Sequence, residues 1–195
     1  MSAVAIEAPI EAIAIGASAG AVQALLRILP ALPADFPIPV LIVVHVPPDR
    51  GNALVALFAA KCRVAVREAE DKEPILPGTV YFAPSDYHLL VEADRTLSLS
   101  MDEPVNHSRP AIDVLLESAA DAYGPALAGV ILTGANHDGA AGLKAICAAG
   151  GTAIVQDFAD AQVATMPEAA LAACPSARMM TLDDLIPYLL TLAAT

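Results

Sequence analysis

The chain has no tryptophan, few other aromatic residues and few basic residues. Aromatic residues make up 4% of its 195 positions, and 10 Lys and Arg stand against 22 Asp and Glu, which gives a formal net charge of −12. Proteins that bind nucleic acid rely on clustered Lys and Arg. We therefore expect no nucleic acid among the partners of this chain.

The sequence also lacks an apolar run long enough to cross a bilayer. A spanning helix needs about 18 or more consecutive apolar residues, and Arg27, Asp35 and Pro39 interrupt the candidates. The acidic N-terminus has no basic segment of the kind that opens a secretory signal. The sequence therefore predicts no membrane insertion and a cytoplasmic location.

Cysteine is scarce, and its spacing shows no framework. Cys62, Cys147 and Cys174 are odd in number, widely separated and free of any C-x-x-C pair. Disulfide scaffolds and zinc sites use paired, closely spaced cysteines. We expect three reduced thiols and no metal site.

What the chain has in quantity is Ala, Val, Leu and Ile, arranged as short apolar runs that alternate with segments of helical period. This alternation indicates an α/β fold with one doubly wound, mainly parallel seven-stranded sheet and helices on both faces. The predicted strands cover residues 12–16, 40–45, 64–67, 79–83, 129–133, 152–156 and 177–180. Residues 88–100 alternate around a short turn, which predicts an added antiparallel β-hairpin. We expect a tail over residues 1–11 and one catalytic domain over 12–195.

Three loops that follow predicted strands could carry chemistry, because ligands of wound sheets bind at the carboxyl ends of the strands. The first is GASAG, residues 16–20, which fits G-x-S-x-G and would expose the Ser18 hydroxyl on a tight turn. The alternative for Ser18 is a helix N-cap. A dinucleotide-binding turn is disfavoured, because the full glycine spacing is absent and His45 ends the next strand where an acidic residue would be needed.

The other two loops supply a base and a carboxylate. His45 ends the second predicted strand and is placed to act as a general base, with a purely structural histidine as the alternative. Asp138 lies in the loop of residues 133–142 and could orient His45, or it could simply cap the helix that follows. Ser18, His45 and Asp138 together predict a catalytic triad in an order that differs from the α/β-hydrolases.

Several long segments of the chain match one family. They are IGASAG, VVHVPP, REAEDKEPILPGTVYFAPSDYHL, NHSRPAIDVLL, GVILTGANHDGAAGL and QDFADAQVATMPEAA. From about Ile13 to the C-terminus the chain resembles the CheB-type catalytic domain of the chemotaxis protein-glutamate methylesterases. The resemblance implies hydrolysis of glutamate 5-methyl esters on methylated chemoreceptors, deamidation of certain receptor glutamines, and no cofactor or metal.

The resemblance also implies roles for individual residues. It places the nucleophile on Ser18, the histidine on His45 and the aspartate on Asp138, with backbone amides at Ala19 and Ala135 supporting the oxyanion. The chain departs from the family pattern at Ala21, Ala135 and Thr165, and these departures bear on the substrate. On the polar loop of residues 102–110, Arg109 is a candidate for steering the acidic surface of a receptor, with a solvated charge as the alternative.

Many members of the family carry an N-terminal receiver domain. About eleven residues precede the first predicted strand here, so we expect a stand-alone catalytic domain, with any control coming from a separate regulatory protein. Two other functions stay open at this point: an esterase of the same mechanism that acts on another methylated protein or ester, and a catalytically silent adaptor that binds receptors.

Overall fold

A computed structural model describes residues 8–45 and 51–193 of the chain. Residues 1–7 of the predicted tail and residues 46–48 of the VVHVPP motif lie outside the described residues. The strands are β1 (Ala12–Ala17), β2 (Val40–Val44), β3 (Ala65–Glu68), β4 (Thr79–Phe82), β5 (His88–Val91), β6 (Leu97–Ser100), β7 (Leu127–Ile131), β8 (Thr152–Gln156) and β9 (Arg178–Met180). The α-helices are α1 (Ala21–Ile28), α2 (Gly51–Lys61), α3 (Ile112–Tyr123), α4 (Ala140–Ala148), α5 (Thr165–Ala173) and α6 (Leu182–Leu192).

Seven strands form one sheet in the order β3-β4-β2-β1-β7-β8-β9, and every neighbouring pair is parallel. The chain winds from β1 towards β2 and later returns to β7 on the other side of β1, so the direction of winding reverses beside β1. A crevice opens at such a reversal, at the carboxyl ends of the strands. The predicted α/β fold is confirmed, including the hairpin, which forms a separate antiparallel sheet of β5 and β6.

Side chains of β1 alternate between the two faces of the sheet, as they must in a strand. Ile13 and Ile15 join a core that α1, α2 and α6 cover. Ala12 and Ala14 belong to the opposite core, where α3, α4, α5 and the hairpin pack. The small alanines on that second face let α3 approach the sheet closely.

Gly16 continues this small-residue face to the end of β1. A Cβ atom at Gly16 would collide with Cγ2 of Ile112, the first residue of α3. Only glycine therefore allows the N-terminus of α3 to lie directly against the end of the central strand.

Strand bounds differ most from prediction at β7, which covers Leu127–Ile131 and not residues 129–133. The strand begins early because Leu127 pairs with Ala12 at the start of β1. It ends early because Thr133 turns away: its amide N donates to Gln156 Oε1 (2.9 Å) and its Oγ1 donates to the Ala19 carbonyl (2.8 Å).

The expectation of three reduced thiols is wrong for two of them. Cys147, near the end of α4, and Cys174, just after α5, form a disulfide, while Cys62 is free. Helices α4 and α5 pack side by side, which brings together two cysteines separated by 27 positions in the sequence. Spacing along the chain could not reveal this pair.

The longest helix that the structure describes, α3, has 12 residues, and no described helix combines the length and apolarity that a membrane span requires.

Candidate active site

Ser18 and His45 follow directly after the paired ends of two neighbouring strands. Ala17 of β1 is aligned with Val44 of β2, and the amide N of His45 donates to the Ala17 carbonyl at 3.1 Å. Parallel strands lie about 4.8 Å apart. The structure therefore brings Ser18 and His45 side by side at the carboxyl edge of the sheet, as predicted.

The turn that carries Ser18 is held by backbone hydrogen bonds to both sides. The Ser18 amide N donates to the Thr133 carbonyl (2.9 Å), and the Ser18 carbonyl accepts from the Ala21 amide (2.9 Å). Gly20 is the N-cap residue of α1, with a φ of 84°, and no side chain caps this helix. The N-cap alternative for Ser18 is thus excluded, and its Oγ has no hydrogen-bond partner among the residues that the structure describes.

His45 is joined to Asp138 through one edge of its ring. Nε2 of His45 lies 2.8 Å from Oδ2 of Asp138, and the two side chains are 13% and 0% exposed. A carboxylate at this distance must accept a proton from Nε2, so in the neutral ring the free lone pair is on Nδ1. The structure therefore leaves Nδ1 as the basic atom of His45.

Asn136 is a residue of this site that sequence reasoning missed. Its Nδ2 lies 3.4 Å from Nδ1 of His45, and its Oδ1 accepts from the Asp138 amide at 3.1 Å. The only available signal was its position in the loop two residues before Asp138. Its side-chain amide faces the atom of His45 that would take a proton.

Asp138 is surrounded by hydrogen-bond donors. Oδ2 accepts from His45 Nε2 (2.8 Å) and the Ile112 amide (2.6 Å), and Oδ1 accepts from Asn106 Nδ2 (2.8 Å) and the Asp113 amide (3.1 Å). Burial by itself raises the pKa of Asp138, but these hydrogen bonds outweigh it and hold that pKa below its usual value. The carboxylate therefore stays charged beside His45.

Asp138 does not cap the helix that follows it in sequence, which was the alternative role for this residue. Gly139 is the N-cap residue of α4, the helix that follows Asp138 in sequence, and the carboxylate of Asp138 makes no hydrogen bond to that helix. The carboxylate of Asp138 instead accepts from Ile112 and Asp113, the first two residues of α3. Asp138 thus caps a different helix while it contacts His45.

Two backbone amides, one next to Ser18 and one in the loop that follows β7, are left without a hydrogen-bond acceptor. The N–H groups of Ala19 and Ala135 have no acceptor within the part of the chain that the structure describes. The loop of residues 133–142, which we call the Ala135 loop, is held in place through Gly134. The Gly134 amide donates to the Val163 carbonyl (3.0 Å), and the Gly134 carbonyl accepts from the Met166 amide (3.0 Å).

The other two departures from the family pattern also lie near this edge of the sheet. Ala21 is the buried first residue of α1, immediately after the Ser18 turn. Thr165 begins α5, next to Met166, which contacts the Ala135 loop. All three departures therefore adjoin the turns that carry Ser18 and the free amides.

Arg109 lies on the rim, and most of its guanidinium is already engaged. Nη1 donates to the carbonyls of Met101 (3.0 Å) and Asp102 (3.2 Å), and Nη2 pairs with Asp86 at 3.0 Å. These contacts tie the loop of residues 102–110 to the loop after β4. Its role in binding a substrate stays a prediction.

No group of His, Cys, Asp and Glu side chains in residues 8–45 and 51–193 could hold a metal ion. The chemistry of this edge is that of a hydroxyl, an imidazole, a carboxylate and free amides.

Comparison with known proteins agrees with this geometry. A sequence model described as CheB methylesterase matches residues 13–189. A protein of Leptospira interrogans serovar copenhageni is 47% identical over 175 residues, which cover 90% of this chain and 91% of the relative. A Caulobacter vibrioides relative named protein-glutamate methylesterase/protein-glutamine glutaminase 2 is 38% identical, covering 93% of this chain and 53% of its own length.

Among solved structures, the crystal structure of the Thermotoga maritima CheB methylesterase catalytic domain superposes with a TM-score of 0.90 at 32% sequence identity. The match covers 95% of this chain and 100% of that one. Sequence and fold therefore agree along nearly the whole chain, which belongs to the CheB methylesterase family.

Proposed function

We propose that this chain is a cytoplasmic protein-glutamate methylesterase that hydrolyses glutamate 5-methyl esters on a methylated chemoreceptor and releases methanol. Deamidation of receptor glutamines follows from the same chemistry, because an amide carbonyl can undergo the same attack. The observation that carries the proposal is the hydrogen bond between His45 and Asp138 beside Ser18, in a chain of this family.

In the proposed reaction Ser18 Oγ attacks the carbonyl carbon of the side-chain ester. Nδ1 of His45 takes the hydroxyl proton, because Nε2 already donates to Asp138. The resulting imidazolium is stabilised by the charge of Asp138, and it returns the proton to the departing methanol. Methoxide is too basic to leave without that proton. Water then attacks the glutamyl-serine ester, with His45 again as the base.

The free amides of Ala19 and Ala135 supply the oxyanion site in this proposal. Negative charge develops on the carbonyl oxygen in each tetrahedral intermediate, and fixed N–H donors stabilise it without reorganising. One such donor typically contributes a factor of about 10² to 10³ in kcat. Ala135 can supply such a donor despite its small side chain, because the donor is the backbone N–H.

A second candidate is the same reaction on another methylated protein or on a small ester. The observation that favours it is the position of Ala21, Ala135 and Thr165, which all adjoin the Ser18 turn or the Ala135 loop. Substitutions there change residues next to the reacting groups and leave Ser18, His45 and Asp138 in place. Methanol release from methylated receptor membranes, compared with hydrolysis of p-nitrophenyl acetate, separates the two candidates.

The nucleophile is tested with a fluorophosphonate probe and with methanol release from methylated receptor membranes. We expect Ser18→Ala to abolish both, because no other hydroxyl would be activated, while the fold remains intact. Ser85→Ala is the matched control, since Ser85 also lies in a loop after a strand of the same sheet, and it should keep both activities. Labelling of Ser18→Ala at the wild-type rate would reject the assignment of Ser18. A wild-type chain that is neither labelled nor releases methanol would instead leave the adaptor function in its place.

A further inference from the structure

Behind the reacting groups, one side-chain amide bridges two buried carboxylates. Asn106 Nδ2 lies 2.8 Å from Oδ2 of Asp113 and 2.8 Å from Oδ1 of Asp138. An amide nitrogen carries two hydrogens, so it can donate one to each carboxylate. The backbone of Asn106 has a φ of 52°, a left-handed conformation that asparagine tolerates better than most residues.

The same two carboxylates cap each other's helices. Asp138, just before α4, accepts from the Ile112 and Asp113 amides at the start of α3. Asp113 in turn accepts, through Oδ1, from the amide of Gly142 (2.7 Å) in the first turn of α4. Each helix N-terminus thus receives a negative charge from a carboxylate at or just before the start of the other helix, and the unsatisfied N–H groups there favour it.

Asp113 can serve in this arrangement only as a carboxylate. Both of its oxygens face donors, Gly142 N–H on one side and Asn106 Nδ2 on the other, so a proton on either oxygen would have no acceptor. Burial raises the pKa of Asp113, and the charge of Asp138 raises it further, while these two hydrogen bonds oppose that rise. Asn106 is therefore the group that separates and satisfies two like charges.

We propose that Asn106 and Asp113 are positioning residues, which hold the carboxylate of Asp138 in the one orientation that directs Oδ2 towards His45. A carboxylate has about four acceptor sites, and in Asp138 four donors occupy them, so rotation would break several bonds at once. This inference deepens the proposed function and rests on the role of the His45–Asp138 pair in it.

The test combines a titration of Asp138 with kinetics on the full chain. Carboxyl carbon NMR follows the ionisation of Asp138, whose signal is assigned by its loss in Asp138→Asn. The titratable groups that interact with Asp138 are His45 at the end of β2 and Asp113 and Glu117 on α3. Hydrolysis of p-nitrophenyl acetate gives kcat and KM separately.

Asn106→Gly removes the amide and keeps the backbone conformation, since glycine adopts positive φ freely. We expect the pKa of Asp138 to rise, because a donor that lowers it is lost, and kcat to fall by about 10- to 100-fold with little change in KM. Asn106→Asp has the same shape but adds a third carboxylate, so it should raise that pKa further and lower kcat at least as much.

His107→Gly is the matched control. His107 is the next residue, has a similar φ of 62°, is exposed and has no hydrogen bond to the described part of the chain. It should leave the Asp138 titration and kcat as in the wild type.

The inference is overturned if the Asp138 titration is the same in Asn106→Gly and the wild type, or if it shifts while kcat does not change. Failure of the proposed function is a separate result: the wild-type chain would then show no Ser18-dependent hydrolysis, while the titration would still report whether Asn106 holds Asp138.

Discussion

At the scale of single residues, Asp138 is the position with the strictest requirement for one type of side chain. Four N–H donors converge on its two oxygens, one from His45, one from Asn106 and two from the backbone of α3. A carboxylate is the only side chain of this size that accepts on both ends. Its identity therefore affects both the orientation of His45 and the stability of the loop.

Asp138→Asn tests this requirement. Whichever way the new amide faces, its NH₂ group meets at least one N–H donor, so at least one hydrogen bond is replaced by a repulsive contact. If the NH₂ group faces His45, it donates to Nε2 and favours the tautomer that carries the proton on Nδ1. In both orientations His45 loses its orienting charge. We expect kcat to fall by about 10⁴ and the free energy of unfolding to fall by about 1–3 kcal/mol. Ester hydrolysis and urea denaturation measure the two effects.

Asp35→Asn is the background control, because Asp35 is exposed and makes no hydrogen bond or ion pair with the described residues. It should behave as the wild type in both measurements. Wild-type kcat in Asp138→Asn would show that His45 does not depend on this carboxylate.

At the scale of elements, the contact between β1 and α3 decides where the donors lie. The small residues Ala12, Ala14 and Gly16 occupy the face of β1 on which α3 packs. Because the helix starts against Gly16, the amides of Ile112 and Asp113 come within hydrogen-bonding distance of Asp138. A larger side chain at the end of β1 would push these amides away.

Gly16→Ala should therefore lower both stability and activity. The added Cβ meets Cγ2 of Ile112 inside a close-packed core, and overpacking of this kind costs about 1–3 kcal/mol. Removing the opposing atom in Gly16→Ala/Ile112→Ala should restore part of that loss relative to the sum of the single variants. A double-mutant cycle of urea denaturation measures the interaction. Strictly additive single effects would mean that the two residues do not constrain each other.

At the scale of the whole molecule, this acidic chain buries two carboxylates whose pKa values shift in opposite directions on folding. Hydrogen bonds lower the pKa of Asp138 in the folded state despite its burial. Burial raises the pKa of Asp113 in the same fold. Stability at acid pH depends on both groups, because each binds protons differently in the folded and unfolded chains.

The signs of the two contributions differ. The stability that Asp138 contributes is present above its unfolded pKa of about 3.9 and is lost as the pH falls through its lower folded pKa. The contribution of Asp113 is present at low pH and is lost as the pH rises through its raised folded pKa. As the pH falls, the free energy of unfolding should therefore decrease less steeply in Asp138→Asn than in the wild type. In Asp113→Asn it should decrease more steeply.

Urea denaturation of the wild type and both variants, measured from about pH 3 to pH 7, shows how the free energy of unfolding changes with pH across the range in which aspartates titrate. Parallel curves for all three proteins would contradict the assigned directions.

Local pattern was enough to predict most of the architecture. The hairpin at residues 88–91 and 97–100 lies within the predicted segment, β8 has the predicted bounds, and β1 and β2 differ from prediction by a single residue. Such features depend on side-chain periodicity and turn residues that are neighbours in sequence. The same local reasoning placed Ser18, His45 and Asp138 at strand ends, where the topology of a wound sheet collects them.

Contacts between distant segments were decided only by the tertiary structure. Asn106 reaches Asp138 across 32 positions, and Asp113 reaches Gly142 across 29. Neither pair belongs to a motif, because the close approach of α3, β1 and α4 creates both contacts. The Cys147–Cys174 disulfide has the same origin, since it depends on how α4 lies beside α5. Periodicity specifies which face of a helix is buried, but the donors and acceptors that meet there depend on how whole elements pack.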